Sequence, residues 1–212
     1  MTETQPLGYL ALPESGSGPG VLVLHAWWGL NDTIREVCRR LAGEGFLAFA
    51  PDLYHGKLAE TIEEAGALGE ALDAEYQRAR QEVAQAAAYL HARSGSPAGG
   101  IAVFGFSLGA FYALDLSAAD PERTGKVVLF YGSGPADFTK SRAAYLGHFA
   151  ADDPYEPPEN VEELIADLEN AGRPVTFYQY PGTSHWFFEP DRPEYQPEAA
   201  RLAWERTNTF LR

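Results

Sequence analysis

Four uninterrupted apolar runs constrain this chain most: VLVLH (21–25), FLAFA (46–50), IAVFGF (101–106) and KVVLFY (126–131). A strand with one wet face alternates apolar and polar residues, so runs like these suit strands buried on both faces. A run this short could equally lie inside a buried helix, and the segments between the runs decide the matter. Ile34, Val37, Cys38 and Leu41 fall at i, i+3, i+4 and i+7, the spacing of one helix face. Thr33 and Glu36 are spaced as a capping box for that helix, and Gly43 or Gly45 as its stop. Val161, Leu164, Ile165 and Leu168 repeat the pattern after a Pro-Pro entry and before Ala171-Gly172. An Ala-rich stretch from about Leu72 to Arg93 and a segment opening at Pro197 are two further helix candidates, while YLGHFA (145–150) and VTFYQY (175–180) read as further strands. Alternating strands and helices predict an α/β fold in three layers: a mostly parallel central sheet with helices on both faces. Ligand chemistry then belongs at the carboxyl ends of the strands.

At 212 residues, with no internal repeat and no long linker, residues 1–212 are expected to form a single domain, its turns marked by SGSGPG (15–20) and SGSPAGG (94–100). No apolar run approaches the roughly 18 residues of a membrane helix. The start, MTETQPLGYLALPESGSGPG, carries neither a basic nor an apolar leader segment, so a cytoplasmic location is expected. The single cysteine, Cys38, excludes an internal disulfide and sits on the inward stripe of its helix as a small core residue. No cluster of His, Cys, Asp or Glu has metal-ligand spacing, and neither a metal nor any other cofactor is expected. Thirty acidic residues against sixteen basic ones give a net charge of −14, which argues against nucleic acid or anionic membrane as a partner and disfavours anionic substrates.

The chemistry-bearing stretch is GFSLGA (105–110), directly after the third apolar run. Gly105, Ser107 and Gly109 match G-x-S-x-G, in which a sharp strand-to-helix turn exposes a serine hydroxyl. Serine after a glycine turn is also an ordinary helix N-cap, so the pattern needs partners. A hydroxyl is a weak nucleophile at neutral pH and requires a histidine to take its proton and a carboxylate to orient that histidine. In a chain order of Ser, Asp, His, both lie downstream at strand ends: Asp152 or Asp153 after YLGHFA, and His185 after VTFYQY. Adjacent loop residues point in different directions; Asp153 is favoured. The oxyanion donors expected from this arrangement are the backbone N–H groups of Leu108 and Trp27. The loop after the first run should rim the pocket, making Trp28 a candidate wall; Tyr131 and Trp186 are further candidates. His25 belongs to the same loop, though it reads as a structural hydrogen-bonding residue rather than a second base.

Several pieces together resemble the dienelactone hydrolase family, a branch of the α/β-hydrolase superfamily: VLVLHAWWGLNDTIREVCRRLAGEGFLAFAPDLYHG, GFSLGA, HFAADDPYEPPE and YPGTSHWFFEPDRPEYQPEAARLAWERTNTFL. The resemblance implies the α/β-hydrolase fold and a nucleophile–His–Asp triad that opens lactones or cleaves esters. Its motif positions place the nucleophile at Ser107, the base at His185 and the acid at Asp153, before the proline of PYEP. The family's best-known members carry a cysteine nucleophile and a glutamate after the first central strand; this chain has Ser107 and, at the second place, Ala26. A family arginine that holds the substrate carboxylate falls at Glu189. The expected activity is therefore that of a serine hydrolase of neutral or weakly polar carboxylic esters or lactones, acting through an acyl-enzyme as a monomer or weak homodimer. Two rivals remain at this level: a thioesterase or amidase using the same triad, and a non-catalytic ligand-binding protein on a hydrolase scaffold.

Overall fold

A computed structural model describes residues 4–212; Met1, Thr2 and Glu3, the start of the segment read above as free of a leader, lie outside them. One seven-stranded sheet organises these residues, with strands β1 (Gly8–Ala11), β2 (Gly20–Leu24), β3 (Leu47–Pro51), β4 (Ile101–Phe106), β5 (Thr124–Phe130), β6 (Ala144–Ala150) and β7 (Val175–Tyr180). Their spatial order is β1-β3-β2-β4-β5-β6-β7. All neighbours run parallel except β1, which pairs antiparallel with β3 at one edge. The α/β-hydrolase arrangement expected from the sequence is thus present. Every residue of β2, β3 and β4 is buried, as their unbroken apolar runs require.

Helices α1 (Asp32–Gly43) and α6 (Pro197–Leu211) cover one face; α3 (Tyr76–Arg93), α4 (Leu108–Ala119) and α5 (Pro158–Asn170), preceded in the chain by α2 (Ile62–Ala74), supply the other. Each face has its own apolar cluster. Ile34, Val37, Cys38, Leu41, Ala203 and Trp204 pack against one side of the sheet, while Val83, Ala86, Leu90, Ala113, Leu116 and Leu168 pack against the other. No helix is long and apolar enough to cross a membrane among the described residues.

Three details differ from the sequence reading. The α1 N-cap is Asn31, whose side chain accepts a hydrogen bond from the Ile34 N–H. The Thr33 hydroxyl instead donates to Asp191 at 2.7 Å, so the Thr33–Glu36 capping box does not form. A true capping box occurs one helix later, between Thr61 and Glu64 at the start of α2. The Ala-rich segment from Leu72 to Arg93 is broken at Glu75, whose φ of −111° and ψ of 30° end α2 and start α3.

Because β2, β4, β5, β6 and β7 all point the same way, their carboxyl ends share one edge of the sheet. Five loops emerge there, carrying Trp27, Ser107, Tyr131, Asp153 and His185. Residues more than a hundred positions apart in the chain are thereby brought to one line.

Candidate active site

Ser107 stands between β4 and α4 with φ 49° and ψ −114°, a left-handed conformation that costs a non-glycine residue about 1–3 kcal/mol. The turn is that tight because α4 folds straight back over the sheet. A Cβ on Gly105 would come within 2.5 Å of the Ala110 Cα, and one on Gly109 would collide with the Leu24 carbonyl oxygen. The two glycines of G-x-S-x-G are therefore spatial requirements of the elbow. The Ser107 N–H is tied to the Phe130 carbonyl at 2.9 Å, which fixes the turn to the neighbouring strand.

Strain is concentrated here. Among the described residues five non-glycine positions have positive φ, and three of them, Ser107, Tyr131 and Trp186, line a single cleft. Sheet, helix and loop contacts hold them in place; such over-determination is how a fold fixes side chains at a functional site.

The Ser107 Oγ lies 2.9 Å from His185 Nε2. The opposite ring nitrogen, Nδ1, is 2.9 and 2.8 Å from the two carboxylate oxygens of Asp153. The side chains of His185 and Asp153 are each only 3% exposed, so the line is shielded from water except at the serine. Of the two aspartates left open by the residues alone, Asp152 points to solvent and Asp153 faces the histidine. Asp153 Oδ1 also accepts the backbone N–H groups of Tyr155 and Glu156 at 2.9 and 3.0 Å, which pins the carboxylate. The loops bearing Asp153 and His185 are laced together by Ala151 N–H to the Tyr180 carbonyl and Asp152 N–H to the Thr183 carbonyl, both 3.1 Å.

The cleft encloses about 310 Å³ and is lined by Trp27, Leu108, Phe111, Tyr155 and Trp186, with Tyr131, Gly132, Ser133 and Glu156 beside the Ser107–His185 pair. Of the expected pocket residues, Trp27, Leu108, Tyr131 and Trp186 line it. Both expected oxyanion donors, Trp27 and Leu108, belong to residues that line the cleft, and neither N–H meets a backbone carbonyl among the described residues. His25 and Trp28 lie behind it. His25 is fully buried, with Nδ1 2.8 Å from the Ala26 carbonyl and Nε2 accepting the Leu53 N–H, and burial lowers its pKa, keeping the ring neutral. Trp28 packs edge-on against Trp186 at 5.1 Å and carries the Arg192 guanidinium on its ring at 4.0 Å, supporting the wall from outside.

Sequence reasoning did not name Phe111, Gly132, Ser133, Tyr155 or Glu156 as pocket residues. Tyr155 and Glu156 sit within PYEP, immediately after Asp153, where the Asp153-centred turn swings them toward the cleft that Ser107 lines. That proximity was the available signal. Phe111 and Ser133 reach the cleft only through the packing of α4 against the loop after β5, which no local pattern announces.

Glu189, at the place of the family arginine, is fully buried and does not line the cleft. Its Oε1 accepts the Tyr131 hydroxyl at 2.7 Å, and the Tyr131 ring packs on His185 with centroids 4.9 Å apart. Burial pushes the Glu189 carboxyl up to about 8; the Tyr131 hydrogen bond holds it back and Asp191 adds repulsion. At neutral pH it is largely protonated, so this position carries little charge.

Comparisons with known proteins agree with the fold. The family model described as the dienelactone hydrolase family matches residues 7–212. A carboxymethylenebutenolidase from Pseudomonas sp. (strain P51) is 30% identical, the alignment covering 96% of this chain and 88% of that one. The protein usf of Aquifex pyrophilus is 31% identical over 97% of this chain and 92% of its own. A crystal structure from Klebsiella pneumoniae subsp. pneumoniae MGH 78578 superposes with TM-score 0.83 at 26% identity, covering 96% and 91% of the two chains. With a match over nearly its whole length, the chain belongs to the dienelactone hydrolase family, ester and lactone hydrolases built on the α/β-hydrolase fold.

Proposed function

We propose that this protein cleaves carboxylic esters or lactones with Ser107 as nucleophile, His185 as base and Asp153 as the acid that orients the imidazole. The observation that carries the reading is the unbroken hydrogen-bonded line from Ser107 Oγ to His185 Nε2 and from Nδ1 to Asp153, at 2.8–2.9 Å throughout. The Ser107 oxygen attacks the carbonyl carbon as its proton passes to Nε2. The oxygen of the tetrahedral intermediate, now negative, faces the N–H groups of Leu108 and Trp27, donors that need no reorganisation when charge develops. Collapse breaks the bond to the alcohol oxygen, which takes the proton from His185 and leaves an acyl-serine. A water molecule then repeats the sequence, giving its proton to His185 and releasing the acid.

Two features argue against a carboxylate-bearing dienelactone as substrate. No arginine or lysine lines the cleft among the described residues, and the glutamate at the family arginine's position is turned inward against Tyr131. An anionic ligand would find no fixed positive charge there.

The test is the Ser107→Ala variant, assayed on p-nitrophenyl butyrate. Activity is expected to fall by about 10⁴-fold or more while the melting transition is kept, since removing the nucleophile of such a triad costs that much. Turnover equal to that of the wild type would overturn the assignment.

A further inference from the structure

Glu156 has no part in the proton line, yet it lies in the cleft. It is only 9% exposed, and no arginine, lysine or histidine nitrogen lies within salt-bridge distance of it among the described residues. One carboxylate oxygen accepts the Ser133 hydroxyl at 2.8 Å; no protein donor engages the other. That second oxygen opens to the solvent of the cleft, where a carboxylate in a partly enclosed site without a counter-ion attracts a positive or strongly donating group of a ligand.

Its surroundings are of the kind that receive a cation. Trp27, Phe111, Tyr155 and Trp186 share the cleft, with Tyr155 4.9 Å from Trp186 and 6.1 Å from Trp27 between ring centroids. Aromatic faces carry a negative quadrupole and attract ammonium groups, most strongly where water is partly excluded. Beyond Ser133 and Glu156 the cleft continues into a groove lined by Glu163 and Asp167, again without a basic residue. The net charge of −14 draws cations toward the whole surface.

We propose that the substrates of this site are esters bearing a cationic group, an alkylammonium or a quaternary ammonium, which seats against Glu156 within the aromatic walls. This inference rests on the serine-hydrolase reading above and deepens it by naming the substrate class. Glu156 is then a specificity-determining residue, acting on a distant part of the substrate rather than on the reacting carbonyl.

The experiment compares matched pairs that differ only in charge. One pair varies the alcohol: butyrylcholine against 3,3-dimethylbutyl butyrate. The other varies the acyl group: the p-nitrophenyl esters of 4-(trimethylammonio)butyrate and of 5,5-dimethylhexanoate. In at least one pair the wild-type kcat/KM for the cationic ester is expected to exceed that for the neutral one by roughly tenfold. In Glu156→Gln, which can still accept from Ser133, that ratio should fall toward one. High salt should lower the wild-type ratio as well, a readout that stands even if the variant fails to fold. A ratio of one or less in both pairs, or a preference unmoved by both the substitution and salt, overturns the inference. Hydrolysis of the neutral esters alone leaves the serine-hydrolase reading intact. If no ester in either pair is turned over, that reading falls first and this inference with it.

Discussion

At the scale of single residues, Glu189 ties stability to pH without lining the cleft. Its carboxyl, buried among Tyr131, Asp191, Arg192 and Glu194, titrates near 8 in the folded protein and near the ordinary carboxylate value once unfolded. The folded state therefore holds a proton that the unfolded chain has already released between those two values. Its contribution is fully present below about pH 4.5 and is lost as the pH rises through about 8. Glu189→Gln, which stays neutral, should show a flatter urea midpoint across this range than the wild type; parallel curves for the two proteins would contradict the buried, protonated state. His148 works in the opposite direction. Sealed between the Tyr180 and Thr207 hydroxyls, its pKa is depressed to about 3, chiefly by burial and secondarily by Arg206. It contributes stability above the ordinary histidine pKa that is lost as the pH falls from about 6.5 toward 3. His148→Gln should reduce the acid-side loss of stability in the same urea series, and an unchanged acid limb would contradict the assignment. A motif and a chain order single out Ser107 and His185 in the sequence but leave Asp152 and Asp153 both open; the resemblance favours Asp153, the one whose carboxylate meets His185. The burial of Glu189 was not legible there, since a glutamate in a loop carries no local sign of being enclosed.

At the scale of elements, the strand–elbow–helix unit from Ile101 to Ala119 sets the geometry. Replacing Gly109 by alanine drives a methyl group into the Leu24 carbonyl, so α4 must shift away from β2. The substitution should cost about 1–3 kcal/mol, the usual range for overpacking, and should lower kcat with it because Ser107 begins the same helix. Thermal denaturation and ester kinetics on one sample check both; full stability with full activity would show that the elbow has room to spare. Six strands were readable as apolar runs, whereas β1, with three of its four residues only half-buried, has no such run. Helix α2 was missed for a related reason. Only Ala65, Gly69 and Leu72 are buried, a face in which two of three members are small, so it shows little periodic contrast. Gly69 nonetheless matters to the site, since the Trp27 indole packs closely against its backbone.

At the scale of the whole molecule, the parallel sheet converts five separated loops into one edge, and cross-loop contacts hold that edge together. Asp191, from the loop bearing His185, accepts from Thr33 and Asn31 at the start of α1. Through that link and the Trp28–Trp186 contact, the loop bearing His185 is braced against the loop bearing Trp27. The fold class followed from alternation alone, but this bracing joins residues some 160 positions apart and leaves no trace in local spacing. The most direct measurement is reaction of the folded protein with a fluorophosphonate, followed by peptide mass mapping. One phosphonyl group should be found on Ser107, with loss of esterase activity in proportion and no labelling of the Ser107→Ala variant. Folded protein that remains unlabelled, or that is labelled elsewhere with Ser107 free, would contradict a serine activated by His185.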